Sequence, residues 1–209
     1  RQGWRISFII LTRTVLDWAV LVSLGAGFSV IEIGQFRTAW QVTALIMLIV
    51  STFDTVAGPR IAAAHRVGAA HEIYSILRQS IATMVVISAP LFILSLGFPE
   101  FVLGLFGPEF VAGATALRIL ALGQLVNVLA GPLGSVLLMT GEERWSARVS
   151  AASLVLLGVL CVTIIPAYGL NGAALTTSLI LIFRTGTSWI LVRRVLPRSV
   201  NPPTTGTPE

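Results

Sequence analysis

Six stretches of this chain are apolar for close to the length of a membrane crossing, and they fix the class of fold before any motif is read. They are Phe8–Gly27, Thr38–Ala57, Gln79–Phe98, Ala116–Met139, Arg148–Ile165 and Gly172–Val192. An α-helix of about 20 apolar residues spans a hydrocarbon layer of about 30 Å. In lipid each backbone polar group must be satisfied within its own segment, so these runs are expected to be helices. They are too long and too uniformly apolar for the alternating strands of a barrel. The expected fold is an all-α integral membrane bundle of six transmembrane helices over residues 1–195. A disordered tail over 196–209 is expected to follow, closing on the Pro/Thr run from Asn201 to Glu209.

Composition agrees with that reading. Charged residues make up 11% of the 209 positions, against about 25% in an ordinary soluble domain. The 14 basic residues are all Arg, the acids number 9, and the net charge is +5. Most Arg lie in short stretches between the apolar runs, with no basic, aromatic-interleaved surface, which argues against nucleic acid as a partner. The lipid bilayer is the partner the composition does imply. Counted by side, ten Arg fall with the two termini and the second and fourth connections, and two, Arg37 and Arg118, fall opposite. The positive-inside bias places both ends of the segment in the cytoplasm. The second connection, Gly58–Arg78, reads as an interfacial stretch with a surface helix over Ala69–Leu77. The chain opens on Arg1 and is expected to be a segment of a longer protein.

Four charged residues break the apolar rule: Arg13, Asp17, Asp54 and Arg184 lie inside expected spans. A charge at that depth is costly and marks a site by default. Arg13 and Asp17 are four residues apart and share a helix face, so they can neutralise each other while facing a cavity, or Arg13 can snorkel with Asp17 as its partner. Asp54 lies five residues before Pro59 and can face a cavity or pair with Arg60. Arg184 precedes Arg193 by nine residues, about 13 Å of rise, close to the midplane of the bilayer. A guanidinium there suits a phosphate or carboxylate, or an acid on another helix. Gln124 and Asn127 share one face of the fourth span, where they can line a cavity or join helices. Pro90 and the Gly131-Pro132 pair are expected to kink or locally open their helices.

No GxxxxGK[ST], HExxH or GxSxG motif occurs, and Cys161 is the only cysteine. The sequence therefore carries no visible constellation for covalent, metal or nucleotide chemistry; no enzyme activity, cofactor or metal site is expected.

An ordered set of motifs remains. Asp17 is followed by Gly34-Gln35-Phe36-Arg37-Thr38-Ala39, then Pro59-Arg60-Ile61-Ala62 and the basic stretch from Gly68 to Leu77. Leu105-Phe106-Gly107-Pro108-Glu109-Phe110 with Ala114 leads into the fourth span, and Ile165-Pro166-Ala167-Tyr168-Gly169-Leu170-Asn171-Gly172-Ala173-Ala174 opens the sixth. In this order they resemble the C-terminal half of a polysaccharide-biosynthesis flippase of the multidrug/oligosaccharidyl-lipid/polysaccharide exporter superfamily. The resemblance covers roughly residues 3–195. It implies one six-helix lobe of a two-lobed exporter, with an N-terminal lobe of the same protein as its missing partner. It also implies a bacterial inner-membrane location and movement of a polyprenyl-diphosphate-linked oligosaccharide by alternating access. Arg184, Arg13, Asp17 and Asp54 are then the candidate substrate-binding residues. Two other functions stay open: a cation-coupled drug exporter of the same superfamily, and a non-transporting scaffold in a glycan-assembly complex. Trp18, Trp40 and Trp189 near span ends read as interface anchors, which disfavours the cation exporter.

Overall fold

The computed structural model describes residues 18–25, 27–67, 69–132, 136 and 143–200. Among these residues there is no strand. A short helix α1 covers 18–25. It is followed by α2 (Val30–Arg66), α3 (Ala70–Gly97) and the six-residue α4 (Pro99–Gly104). A 3-10 turn (Pro108–Gly113) leads into α5 (Ala114–Ala130), and α6 (Glu143–Val200) closes the chain.

The helices start and stop for local reasons. At the head of α2, the Ser29 hydroxyl accepts from the Glu32 amide at 3.3 Å while the Glu32 carboxylate accepts from the Ser29 amide at 2.9 Å. This reciprocal capping box satisfies two donors the helix leaves orphaned. From there α2 runs 37 residues without interruption, through Pro59. At about 55 Å it is far longer than the bilayer core is thick. α3 runs 28 residues through Pro90. The expected surface helix over Ala69–Leu77 is therefore not a separate element. No Gly or Pro stands between Ala70 and Ala89, so nothing stops one helix from carrying the basic stretch straight into the span. The break falls instead at Val67, which caps α2.

The Gly131-Pro132 pair, expected to kink or open its helix, ends it. Gly131 has φ 74°, a left-handed value open to glycine, and α5 stops at Ala130. Within the expected fourth span the helix α5 therefore stops at Ala130; residues 133–135 and 137–142 lie outside the described part. The last helix breaks in the middle. Gly169 adopts φ 54° and ψ −130°, and the chain reverses there. A Cβ placed on Gly172 would sit 2.5 Å from the Ile164 carbonyl oxygen, whereas eight residues of straight helix would separate the two by about 12 Å. The arms 143–168 and 170–200 therefore run antiparallel, each long enough to cross a membrane. Residues 196–200, read from sequence as the start of an irregular tail, continue the second arm, which is carried through Pro197. Residues 201–209 lie outside the described part, as does most of the expected first span.

The bundle is packed as lipid requires. Small residues stand among the buried seams, with Ala39, Ala114, Ala116, Ala121, Ala173 and Ala174 all buried beside larger ones such as Leu24, Ile46, Ile61 and Leu103. Other large apolar residues face outward, with Val86 72%, Val155 71% and Val162 77% exposed. Lipid tails are as apolar as leucine, so helices associate through close backbone approach rather than through hydrophobic expulsion from water. One cluster ties α1, α2, α4, α5 and both arms of α6 at the end holding Arg37 and Arg118. Another joins α2, α3 and α5 at mid-height. A third joins Ala57, Ile61, Ile73, Leu77 and Val192 at the opposite end. The chain is an all-α, multi-pass membrane bundle; its four described helices of spanning length and hydropathy include the doubled α6.

Candidate functional site

A cavity of about 440 Å³ lies between α1, α2, α5 and the two arms of α6. Its wall is assembled from one stripe on each helix. On α2 the stripe carries Arg37, Trp40, Met47, Ser51 and Asp54. At 100° per residue these positions fall within about a third of the helix circumference. The second arm of α6 contributes Thr177, Ile180, Leu181, Arg184, Thr185 and Ser188, again one face. The first arm adds Ser146, Val149 and Ser150, and α5 adds Gln124 and Asn127. α1 adds Trp18 and Leu21. The lining thus mixes apolar and aromatic side chains with hydroxyls, amides, Asp54 and the Arg37 and Arg184 guanidinium groups.

Two close contacts hold these stripes in register. The Ser178 hydroxyl donates to the Ile119 carbonyl at 2.9 Å, bridging the second arm of α6 to α5. Beside it, a Cβ on Gly123 would lie 2.7 Å from Ser178 Oγ and 3.0 Å from its Cα. This is the close backbone approach that small residues permit in membrane helices. One turn further along α5, Asn127 donates to the Gln124 side-chain oxygen at 3.3 Å and accepts from the Thr185 hydroxyl at 3.3 Å. Gln124 and Asn127 therefore do both things open to them in sequence: they line the cavity and they join helices. Thr185 is the neighbour of Arg184, so this network fixes the turn from which the guanidinium projects.

The depth of Arg184 is set by its surroundings. Arg193 lies over the Trp189 ring at 3.6 Å, and Arg148 over the Trp145 ring at 4.7 Å. Both pairs sit at the same end of the α6 hairpin, since the arms run antiparallel. Aromatic–arginine pairs of this kind belong to the headgroup level of a membrane. Arg184 is nine residues inside Arg193, about 13 Å deeper. It is half-buried in the cavity wall.

Of the four candidate residues, Asp54 and Arg184 line this one cavity. Arg13 and Asp17 lie outside the described residues. Asp54 and Arg60 are six residues apart, which turns them about 120° from each other on α2. Arg60 borders a different groove, against α3. The one ion pair within 4.0 Å between described residues is Arg118–Glu100, at 3.1 Å on the opposite end of the bundle. Sequence reasoning missed the hydroxyls Ser51, Ser146, Ser150, Thr177, Thr185 and Ser188. Their signal was present as polar residues recurring at three, four and seven positions within apolar runs. Trp18 and Trp40, read from sequence as interface anchors, also line this cavity. Trp189 is paired with Arg193.

Apolar spans around a cavity of mixed polar and apolar lining define a multi-pass α-helical membrane protein. The comparisons name its kind. A family model described as MatE matches residues 7–164, and the chain belongs to the MatE family. It is 27% identical over 167 residues to the "probable low-salt glycan biosynthesis flippase Agl15" of Haloferax volcanii. That match takes in 78% of this chain but 35% of the relative, so the chain spans about a third of the relative's length. No solved structure matches the chain.

Proposed function

We propose that this chain is the C-terminal six-helix lobe of a two-lobed flippase in a bacterial inner membrane. Its cargo is a polyprenyl-diphosphate-linked oligosaccharide or a related polysaccharide precursor. The missing partner is an N-terminal lobe of the same protein, and cargo crosses by alternating access between the lobes. The observation that carries the reading is Arg184, held inside a cavity lined by hydroxyls and amides about 13 Å below the arginine–tryptophan level. A guanidinium binds a diphosphate bidentately, and hydroxyl and amide groups suit sugar hydroxyls. At about 440 Å³ the cavity matches a headgroup rather than a polyprenyl tail, which can stay in lipid. Membership of the MatE family and likeness to a glycan-biosynthesis flippase support the same cargo class. The basic end, with Arg60, Arg66, Arg78, Arg144, Arg148 and Arg193, faces the cytoplasm in this reading.

A second reading has one observation in its favour. Trp18, Trp40 and Asp54 share the cavity, and aromatic faces beside a carboxylate can hold an organic cation. Native mass spectrometry of the full-length protein separates the two. Undecaprenyl-diphosphate sugar should bind the wild type and bind at least tenfold more weakly to Arg184→Ala, the loss of one charged bidentate contact. Binding of an organic cation that depends on Asp54, with no binding of the lipid diphosphate, would replace the flippase by a drug exporter.

A further inference from the structure

A second groove lies on the outer side of α2, between α2 and α3, away from the central cavity. It has a volume of about 100 Å³. Its floor is apolar, formed by Phe53, Val56 and Ile76, and its rim carries Arg60, Gln79 and Ser80. No acid lines it. The hydroxyl proton of the fourth polar residue, Thr83, is committed to the Gln79 carbonyl at 3.0 Å. Among the described residues, the side chains of Arg60, Gln79 and Ser80 take part in no hydrogen bond or ion pair. A guanidinium, an amide N–H and a hydroxyl therefore converge on one small space with their donors unspent. Donors without acceptors at a membrane protein's flank call for an anion.

The level of the groove says which anion. Arg60 sits between Ala57 and Ile61, which pack in one cluster with Leu191 and Val192. Val192 adjoins Arg193, whose stacking on Trp189 marks the headgroup plane. The rim of the groove thus stands at lipid-phosphate height, and its apolar floor continues inward along the lipid-facing side, where acyl chains lie.

We propose that this groove is a binding site for an anionic phospholipid, with the phosphate held by Arg60, Gln79 and Ser80 and one acyl chain laid over Phe53 and Val56. The site clamps α2 to α3 from outside and is separate from the cavity that faces the cargo. It rests on the groove and the membrane level, and on neither reading of the transported molecule.

The test uses the full-length protein in nanodiscs of phosphatidylglycerol and phosphatidylcholine, with retained lipids counted by native mass spectrometry. Wild type should retain one phosphatidylglycerol that Arg60→Gln loses, with occupancy falling about tenfold, the size of one charge-assisted contact. Gln79→Leu should lower occupancy by a smaller factor. Arg184→Ala should leave it unchanged. Arg60 and Gln79 are exposed, so the variants should fold, and an unaltered melting temperature in phosphatidylcholine checks this. Equal retention in wild type and Arg60→Gln would overturn the proposal. So would equal retention of phosphatidylcholine, or a loss caused by Arg184→Ala in place of Arg60→Gln, which would move the lipid into the central cavity.

Discussion

The contact of Gly123 with Ser178 makes a quantitative prediction. An alanine methyl at position 123 would lie 2.8 Å from Ser178 Cβ and 3.0 Å from its Cα. Carbon atoms rest about 3.5–4.0 Å apart, so α5 and the second arm of α6 must separate by roughly 0.5–1 Å. The Ser178 hydroxyl cannot simply rotate away, because it is bonded to the Ile119 carbonyl at 2.9 Å, and the α-carbon is backbone. Overpacking of this size costs about 1–3 kcal/mol. The Asn127–Thr185 bond, already 3.3 Å long, would break as well and add about 0.6 kcal/mol. Against this, alanine gains about 1 kcal/mol over glycine in helix propensity. The net expectation for Gly123→Ala is a loss of about 0.6–2.6 kcal/mol, measured by unfolding of the full-length protein in bicelles. A double-mutant cycle locates the cause. Ser178→Gly removes the two nearest atoms, so it should recover more than about 0.5 kcal/mol in the Gly123→Ala background beyond its effect alone. Ser178→Ala keeps Cβ and should recover little. A Gly123→Ala protein as stable as wild type, or a cycle with no coupling, would refute the close approach.

Three further outcomes follow from named contacts. Arg184→Lys keeps the charge but loses the planar fork, so its affinity for a lipid diphosphate should fall between wild type and Arg184→Ala in the same binding assay. Gly169→Ala places a side chain at φ 54°, ψ −130° and 3.2 Å from Phe28; it should cost about 1–3 kcal/mol in thermal stability. Asparagine should not rescue it, because that ψ lies outside the left-handed helical region that asparagine tolerates. Arg118→Ala breaks an ion pair whose side chains are 44% and 51% exposed, and should change stability by less than about 1 kcal/mol.

The sequence by itself determined the class of fold. Apolar runs of bilayer length leave a chain no option but helices, because lipid offers the backbone no partners. It also determined that Arg184 is unusual, since depth along a helix is counted directly from residue number. Gly107 and Gly169 fall in connections that the apolar runs left between spans, whereas Gly131 lies inside an expected span and its turn was not legible. That Gly131 ends α5 while Pro59 and Pro90 are carried through their helices depends on how neighbouring helices fill the space around each break. Only the tertiary structure decided which polar residues meet. Trp18 and Trp40, Ser51, Ser150 and Thr185 are ordinary residues in their own helices and become a cavity wall only when four helices turn those faces to one another. Helix periodicity fixes which residues share a stripe. Which stripe faces inward is set by the small residues that let backbones touch, as Gly123 does at Ser178 and Gly172 does at Ile164.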